Sequence, residues 1–376
     1  MNLVPRRPGF GAGRYWRAAS GKEASARPLA RSLTPVRLLR SAVAALLVGA
    51  CMALPAQGQT IEGQSYAVLI GGLGGSPEYT DTFQQYLFET HKALIEDFLF
   101  PEANVTVLAE TSLRDVGFVT DVSTADNIRA HFATLAATVT PNDHVYIVLF
   151  GHGSYDGEHA QLNIPRRDLN DADYAALVDA LPAGRIIFVN TASASAPFID
   201  VLSAPDRIVI TATRRGTQRN ETVFPKFLVE GLTSGAADLD KNGNLSVREV
   251  FAYAAQKTAQ SFAETSHLAT EHALLEDTGD TQAYRVEELD EAAEGNLAAI
   301  TYLKRRTAAL AAIPAANRAA LAQLLGDKDT VERDIAELKS RKNRLRENDY
   351  YAQLETLFVH LARLNDRIEA EQGGNE

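Results

Sequence analysis

The run Val145-Tyr-Ile-Val-Leu-Phe150, followed directly by Gly151-His152-Gly153-Ser154, decides the fold. The run has no polar face and is short for a globular helix, so it suits a strand buried on both sides, the habit of parallel sheets covered by helices. The small polar residues after it mark a loop at the strand's carboxyl end, where open α/β sheets gather their ligands.

The pattern repeats in both directions. Tyr66-Ala-Val-Leu-Ile70, Val105-Thr-Val-Leu108, Ile186-Ile-Phe-Val189 and Ile208-Val-Ile-Thr211 read as further strands. Amphipathic stretches near residues 81–99, 124–138 and 171–181 read as the helices between them. This alternation predicts an α/β domain with a mostly parallel sheet flanked by helices. Asn190-Thr-Ala-Ser-Ala-Ser195 then falls at the end of the strand after Phe150, facing the same crevice as Gly151–Ser154. Arg214 and Arg215 follow the fifth strand, where an arginine either reaches the crevice to pair with a carboxylate or is simply solvated. Gly71-Gly-Leu-Gly-Gly-Ser76 follows the first strand, but its glycine spacing does not match a dinucleotide fingerprint.

Ahead of this domain, Arg37-Leu-Leu-Arg40 leads into the apolar run Ser41–Ala50 and the small residues Ala56-Gln57-Gly58. That order reads as a secretory signal cleaved after Gly58, and the run falls short of the roughly 20 apolar residues a bilayer span needs. The protein is therefore expected to be exported, periplasmic or secreted. Cys51, the single cysteine, lies inside this leader; it is either discarded with it or lipidated at a loose lipobox, Val48-Gly49-Ala50-Cys51. The sequence carries a net charge of −11, and the nine basic residues and one acidic residue before position 59 leave −19 on the remainder. So acidic a chain repels nucleic acid, whose binding needs clustered Lys and Arg. A protein or peptide ligand is expected instead.

Past about residue 290 the composition turns to Ala, Leu, Glu, Lys and Arg, with Leu354, Leu357, Leu361, Leu364 and Ile368 at helical spacing. Pro314 and Gly326-Asp-Lys-Asp329 are expected to break this region into about three helices. The chain thus divides into a leader (1–58), an α/β domain (59–290) and a helical hairpin or coiled-coil region (291–376). The last packs on the main domain or serves self-association.

Within the α/β domain, Asp238-Leu-Asp240-Lys-Asn242-Gly243-Asn244-Leu245-Ser246-Val-Arg-Glu249 has the spacing of an EF-hand loop. Oxygens of Asp238, Asp240 and Asn242 converge around the turn at Gly243, Asn244 offers its carbonyl, Ser246 stands at the ninth position and Glu249 closes the site from a helix. Calcium is the expected ion. Helical patterns from Thr222 to Gly231 and from Ser246 to about Phe262 flank the loop. The plainer reading is a capping box, Ser246-x-x-Glu249, after an ordinary turn. Extracellular modules bind calcium at about 10⁻⁴ to 10⁻³ M, so such a site is structural rather than a sensor.

The order of elements, with Phe150-Gly-His-Gly-Ser154-Tyr-Asp-Gly157 after one strand and a small-residue elbow after the next, resembles the legumain-like peptidases of the caspase fold over about residues 64–265. The resemblance implies that His152 holds the family's histidine position. The family's nucleophile motif, Glu-Ala-Cys-x-Ser-Gly, is replaced by Asn190-Thr191-Ala192-Ser193-Ala194-Ser195-Ala196. Counting from the strand puts Ala192 at the cysteine position, and counting from the downstream small residues puts Ser193 there. With alanine the chain is a catalytically degenerate homologue that binds or scaffolds; with Ser193 and His152 it is a serine-for-cysteine hydrolase. Asp156 and Asp168 are the nearby acids in sequence that could orient His152. In neither register does residue 59 onward carry a cysteine.

Overall fold

A computed structural model describes residues 63–373, apart from 112–116, 242, 266–267, 304–322 and scattered positions between 325 and 344. The leader, Cys51, Pro314 and Asn242 lie outside the described residues. The α/β reading holds: a seven-stranded sheet, parallel but for one edge strand, is flanked by helices.

The strands are β1 (Ser65–Gly71), β2 (Val105–Ala109), β3 (Asp121–Val122), β4 (His144–Phe150), β8 (Arg185–Asn190), β9 (Arg207–Thr211) and β11 (Leu274–Glu276). Across the sheet their order is β11-β9-β8-β4-β1-β2-β3, with β11 antiparallel to β9. The helices are α1 (Pro77–Glu96), α2 (Ala125–Thr138), α3 (Asp171–Asp179), α4 (Phe198–Leu202), α5 (Phe224–Ser234) and α6 (Val247–Glu264).

The unbroken apolar text of the strands has its cause here. Alternate residues of a strand point to opposite faces, and both faces are covered. Tyr146, Val148 and Phe150 join α1, α5 and α6 in one core, through Leu87, Leu94, Phe224, Leu228 and Phe251. Val145, Ile147 and Leu149 join α2, α3 and α4 in the other, through Ile128, Phe132, Tyr174 and Phe198. Each large side chain so buried contributes about 1.5–3 kcal/mol.

Helix α1 starts one turn before the expected residue 81, because Pro77 sits in its first turn after the extended Ser76. Three antiparallel strands after β4 were not expected: β5 (Gly153–Tyr155), β6 (Ala160–Leu162) and β7 (Leu169–Asn170). They are too short and mixed in polarity for a periodic signal. A further pair, β10 (Leu245–Ser246) with β12 (Tyr302–Leu303), ties the end of the acidic loop to a later segment. Between β11 and β12 lie the short helices α7 (Leu289–Ala292) and α8 (Asn296–Ala299).

The C-terminal helix, α9 (Glu347–Gly373), buries Leu364 and Ile368 against Leu324, Val331 and Ile335, with Leu354, Leu357 and Leu361 beside them. Residues 326–328, expected to interrupt a helix, are helical. One glycine in a helix costs about 1 kcal/mol, which the burial of Leu324 and Val331 on either side offsets. No described helix is long and apolar enough to cross a membrane.

Candidate functional site

The loops after β4 and β8 meet at the carboxyl end of the sheet. Leu149 and Asn190 are the last paired residues of the two strands, and the Thr191 amide and hydroxyl both donate to the Leu149 carbonyl. One step further on, the Ser193 hydroxyl accepts from the Gly153 amide and donates to the Gly153 carbonyl, both at 3.0 Å. The loops are so close there that a Cβ on Gly153 would stand 2.1 Å from the Ser193 carbonyl oxygen. Glycine at 153 is a requirement of that approach.

His152 points elsewhere. Its ring makes edge contacts with Tyr79 and Phe83 of α1, centroids 4.7 and 5.1 Å away, and no hydrogen bond of that ring is found among the described residues. A general base must lie within about 2.6–3.2 Å of the proton it takes, and the Ser193 proton is committed to a carbonyl. His152 and Ser193 are therefore neighbours along the clasped loops without forming a relay. Asp156 accepts from the Glu158 and His159 amides and Asp168 from the Ile164 amide, so neither orients His152. The nearby acid–histidine pair that does form is His159 with the buried Asp171, 2.8 Å apart, and the hydrogen bond the ring donates to that carboxylate raises the imidazole's pKa.

Ala192 is buried in the core beside α4, with its amide donating to the Asn190 side chain. Ala194 takes a left-handed φ of 56° and its amide donates to the Gln218 carbonyl. Ser195 exchanges hydrogen bonds with Thr213. The elbow at 190–196 is thus laced to residues 213–218, from which Arg214 and Arg215 extend as exposed side chains. Arg219 reaches back to the Tyr155 carbonyl at 2.6 Å.

Beside these loops lie carboxylates that sequence reasoning missed. Tyr79 donates to Glu221, Thr222 donates to the Thr191 carbonyl, and the buried Glu271 accepts from the Val223 and Phe224 amides at the start of α5. Burial pushes the Glu271 carboxyl up to about 7, against the pull of those two amides and with the Glu221 charge adding to the rise. The folded protein therefore binds more protons than the unfolded chain between about 4.5, the group's ordinary value, and about 7. This contribution to stability is full below about 4.5 and is lost as pH rises through about 7. Denaturant unfolding at pH 5 and pH 8 is expected to show a smaller loss in Glu271→Gln than in the wild type; equal losses would remove Glu271 from the account.

The acidic loop joins α5 to α6. Gly235 ends α5 in a left-handed conformation, and Lys241 and Gly243 continue the turn at φ of 56° and 82°. Single oxygens of Asp238, Asp240 and Glu249 lie within 4.8 Å of one another. The Glu249 carboxylate reaches over the loop to accept from the Leu239 and Asp240 amides, while its second oxygen accepts from the Ser246 amide and hydroxyl. With the Ser246 hydroxyl accepting from the Glu249 amide, the capping box is complete. It coexists with the carboxylate cluster rather than replacing it. Asp238 Oδ2 accepts from the Gly243 amide, whereas Oδ1 is buried and has no hydrogen-bond partner among the described residues. A buried carboxylate oxygen left in that condition is costly unless a cation meets it. Leu245, fully buried, anchors the loop in the core.

No protein-family model matches this chain, and no curated protein matches it. Among solved structures, the protein GSU0716 from Geobacter sulfurreducens is similar over 57% of this chain and 94% of its own, at 11% identity and a TM-score of 0.37. That likeness is too slight to carry an argument.

Proposed function

We propose that the chain is an exported, calcium-stabilised binding protein, a legumain-like domain that has kept the crevice of a peptidase without its chemistry. The observation that carries this reading is the Ser193 hydroxyl, bonded in both directions to Gly153 while His152 packs against Tyr79 and Phe83. A serine needs its base to take the proton as it attacks, and a site shaped for a thiol activates a hydroxyl poorly.

What remains is a recognition surface: an aromatic wall, the backbone of two clasped loops and the exposed Arg214, whose guanidinium suits a peptide carboxylate. The ligand is a protein or peptide segment. Calcium in the 238–249 loop has the role of a structural ion, holding α5 and α6 behind the crevice. The exposed Tyr351, Phe358 and Val359 on α9 are the side chains through which copies of the chain would associate.

The test is peptide-bond hydrolysis and peptide binding by the full chain at millimolar calcium, alongside Ser193→Ala, His152→Ala and Arg214→Ala. Expected are no turnover in any of the four, binding kept in Ser193→Ala, and binding weakened about tenfold in Arg214→Ala, the worth of one charged hydrogen-bonding group. Turnover by the wild type that vanishes in both Ser193→Ala and His152→Ala would establish the hydrolase instead.

A further inference from the structure

The edge strand β11 runs antiparallel to β9, so it carries the chain away from the crevice. The turn that follows it lies against the segment before β9. The Thr281 amide donates to the Ser203 hydroxyl, and Gly279, at φ 81°, sits where a Cβ would be 2.8 Å from the Ala204 carbonyl carbon and the Pro205 nitrogen. Into this turn come Glu276 from the end of β11, Asp280 from the turn itself and Glu294 from the joint between α7 and α8.

Single carboxylate oxygens of Glu276, Asp280 and Glu294 lie within 4.8 Å of one another. Asp277 is a fourth acid beside them, tied down by the Gly295 and Ala298 amides. Among the described residues no Lys or Arg forms an ion pair with any of the four. Glu276 and Glu294 are almost wholly buried, at 0% and 2% exposure.

The hydrogen bonds leave one oxygen over. Glu276 Oε1 gathers the amides of Thr278, Gly279 and Asp280, and Glu294 accepts from the Thr278 hydroxyl and the Asp277 amide. Glu276 Oε2 is buried and accepts no hydrogen bond among the described residues. Burial pushes the Glu276 carboxyl upward, against the pull of the Gly279 amide and of the Ser203 hydroxyl, which stands near without satisfying that oxygen. A turn or cap needs only the first of these two oxygens, so the second has no structural use unless something positive meets it.

We propose that Glu276, Asp280 and Glu294 form a second site for a hard divalent cation of the calcium class, separate from the 238–249 loop, with Glu276 and Glu294 as buried ligands and Asp280 at its mouth. Ligands spaced this way are spanned by a central ion held at about 2.3–2.6 Å, and an all-oxygen donor set selects calcium over softer metals. Asp280 is exposed, which leaves an entry path from solvent. The site goes beyond the proposed function and does not depend on it: it would fasten the sheet edge to the α7–α8 segment whatever the crevice binds.

The experiment is a calcium titration of the full chain carrying Glu249→Gln, in which the loop site is disabled, followed by calorimetry. One equivalent of calcium is expected to remain at millimolar concentrations. Adding Asp280→Asn is expected to weaken it at least about tenfold, the loss that even outer-shell partners show, and adding Glu276→Gln to remove it. Asp280, being exposed, can be changed without risk to the fold and keeps the test readable if Glu276→Gln does not fold. No calcium binding in Glu249→Gln, or residual binding that Asp280→Asn leaves unchanged, would overturn the proposal.

Discussion

Gly153→Ala is expected to lower the stability by about 3 kcal/mol and to abolish ligand binding at the crevice. The added methyl would stand 2.1 Å from the Ser193 carbonyl oxygen, a backbone atom that no rotamer change can move away. Overpacking of this kind costs roughly 1–3 kcal/mol, and the mutual hydrogen bonds of Ser193 and Gly153 would be lost with it. Denaturant unfolding should give a lower midpoint at an unchanged slope, the mark of a native state weakened without a change in the area it exposes. Ser193→Ala serves as the comparison: it leaves the backbone approach intact and should cost about 1 kcal/mol. If Gly153→Ala unfolds like the wild type, the two loops do not approach so closely in solution and the clasp cannot hold the serine away from His152.

The second large effect concerns calcium. Raising calcium from chelated to 10 mM should add about 1.4–2.7 kcal/mol through the 238–249 loop, given dissociation constants of about 10⁻⁴ to 10⁻³ M for extracellular modules. Glu249→Gln should remove that share, because the carboxylate that reaches the loop from α6 loses its charge. It should also lower the calcium-free stability by about 1 kcal/mol, since the same carboxylate completes the cap of α6. Ser246→Ala separates the two roles: the cap is lost, with a similar drop, while the Asp238–Asp240–Glu249 carboxylate cluster stays and most of the calcium increment with it, less the share of the ninth position. A calcium increment equal in wild type and Glu249→Gln would leave the loop as a capped turn and nothing more.

The parts of this protein that can be read along the chain are those whose physics is local. The five main strands could be placed because both faces of the sheet are covered, so Val145–Phe150 and its counterparts need no polar residue at any position. The loop at 238–249 could be read because Asp238, Asp240 and Glu249 are held by one turn and one helix start, at distances along the chain that the turn geometry dictates. The short strands Gly153–Tyr155, Ala160–Leu162 and Leu169–Asn170 could not, since their pairing is with one another and their text has no period. The helical state of residues 326–328 was hidden for a related reason: it is stabilised by Leu364 and Ile368, some 30 residues or more further on.

The sequence by itself determined the α/β layering, the two polar loops at the carboxyl end of the sheet, the absence of cysteine after residue 58 and the twelve-residue spacing of the acidic loop. Only the tertiary structure decided that the Ser193 proton goes to Gly153, that His152 packs against two aromatic rings, and that Glu271 is buried at the start of α5. It alone brought Glu276 and Glu294 together across eighteen positions and two elements. The division follows from range: hydrophobic period and turn chemistry act within one element, whereas the partner of a hydroxyl or a buried carboxylate is set by which distant segments the packed core leaves beside it.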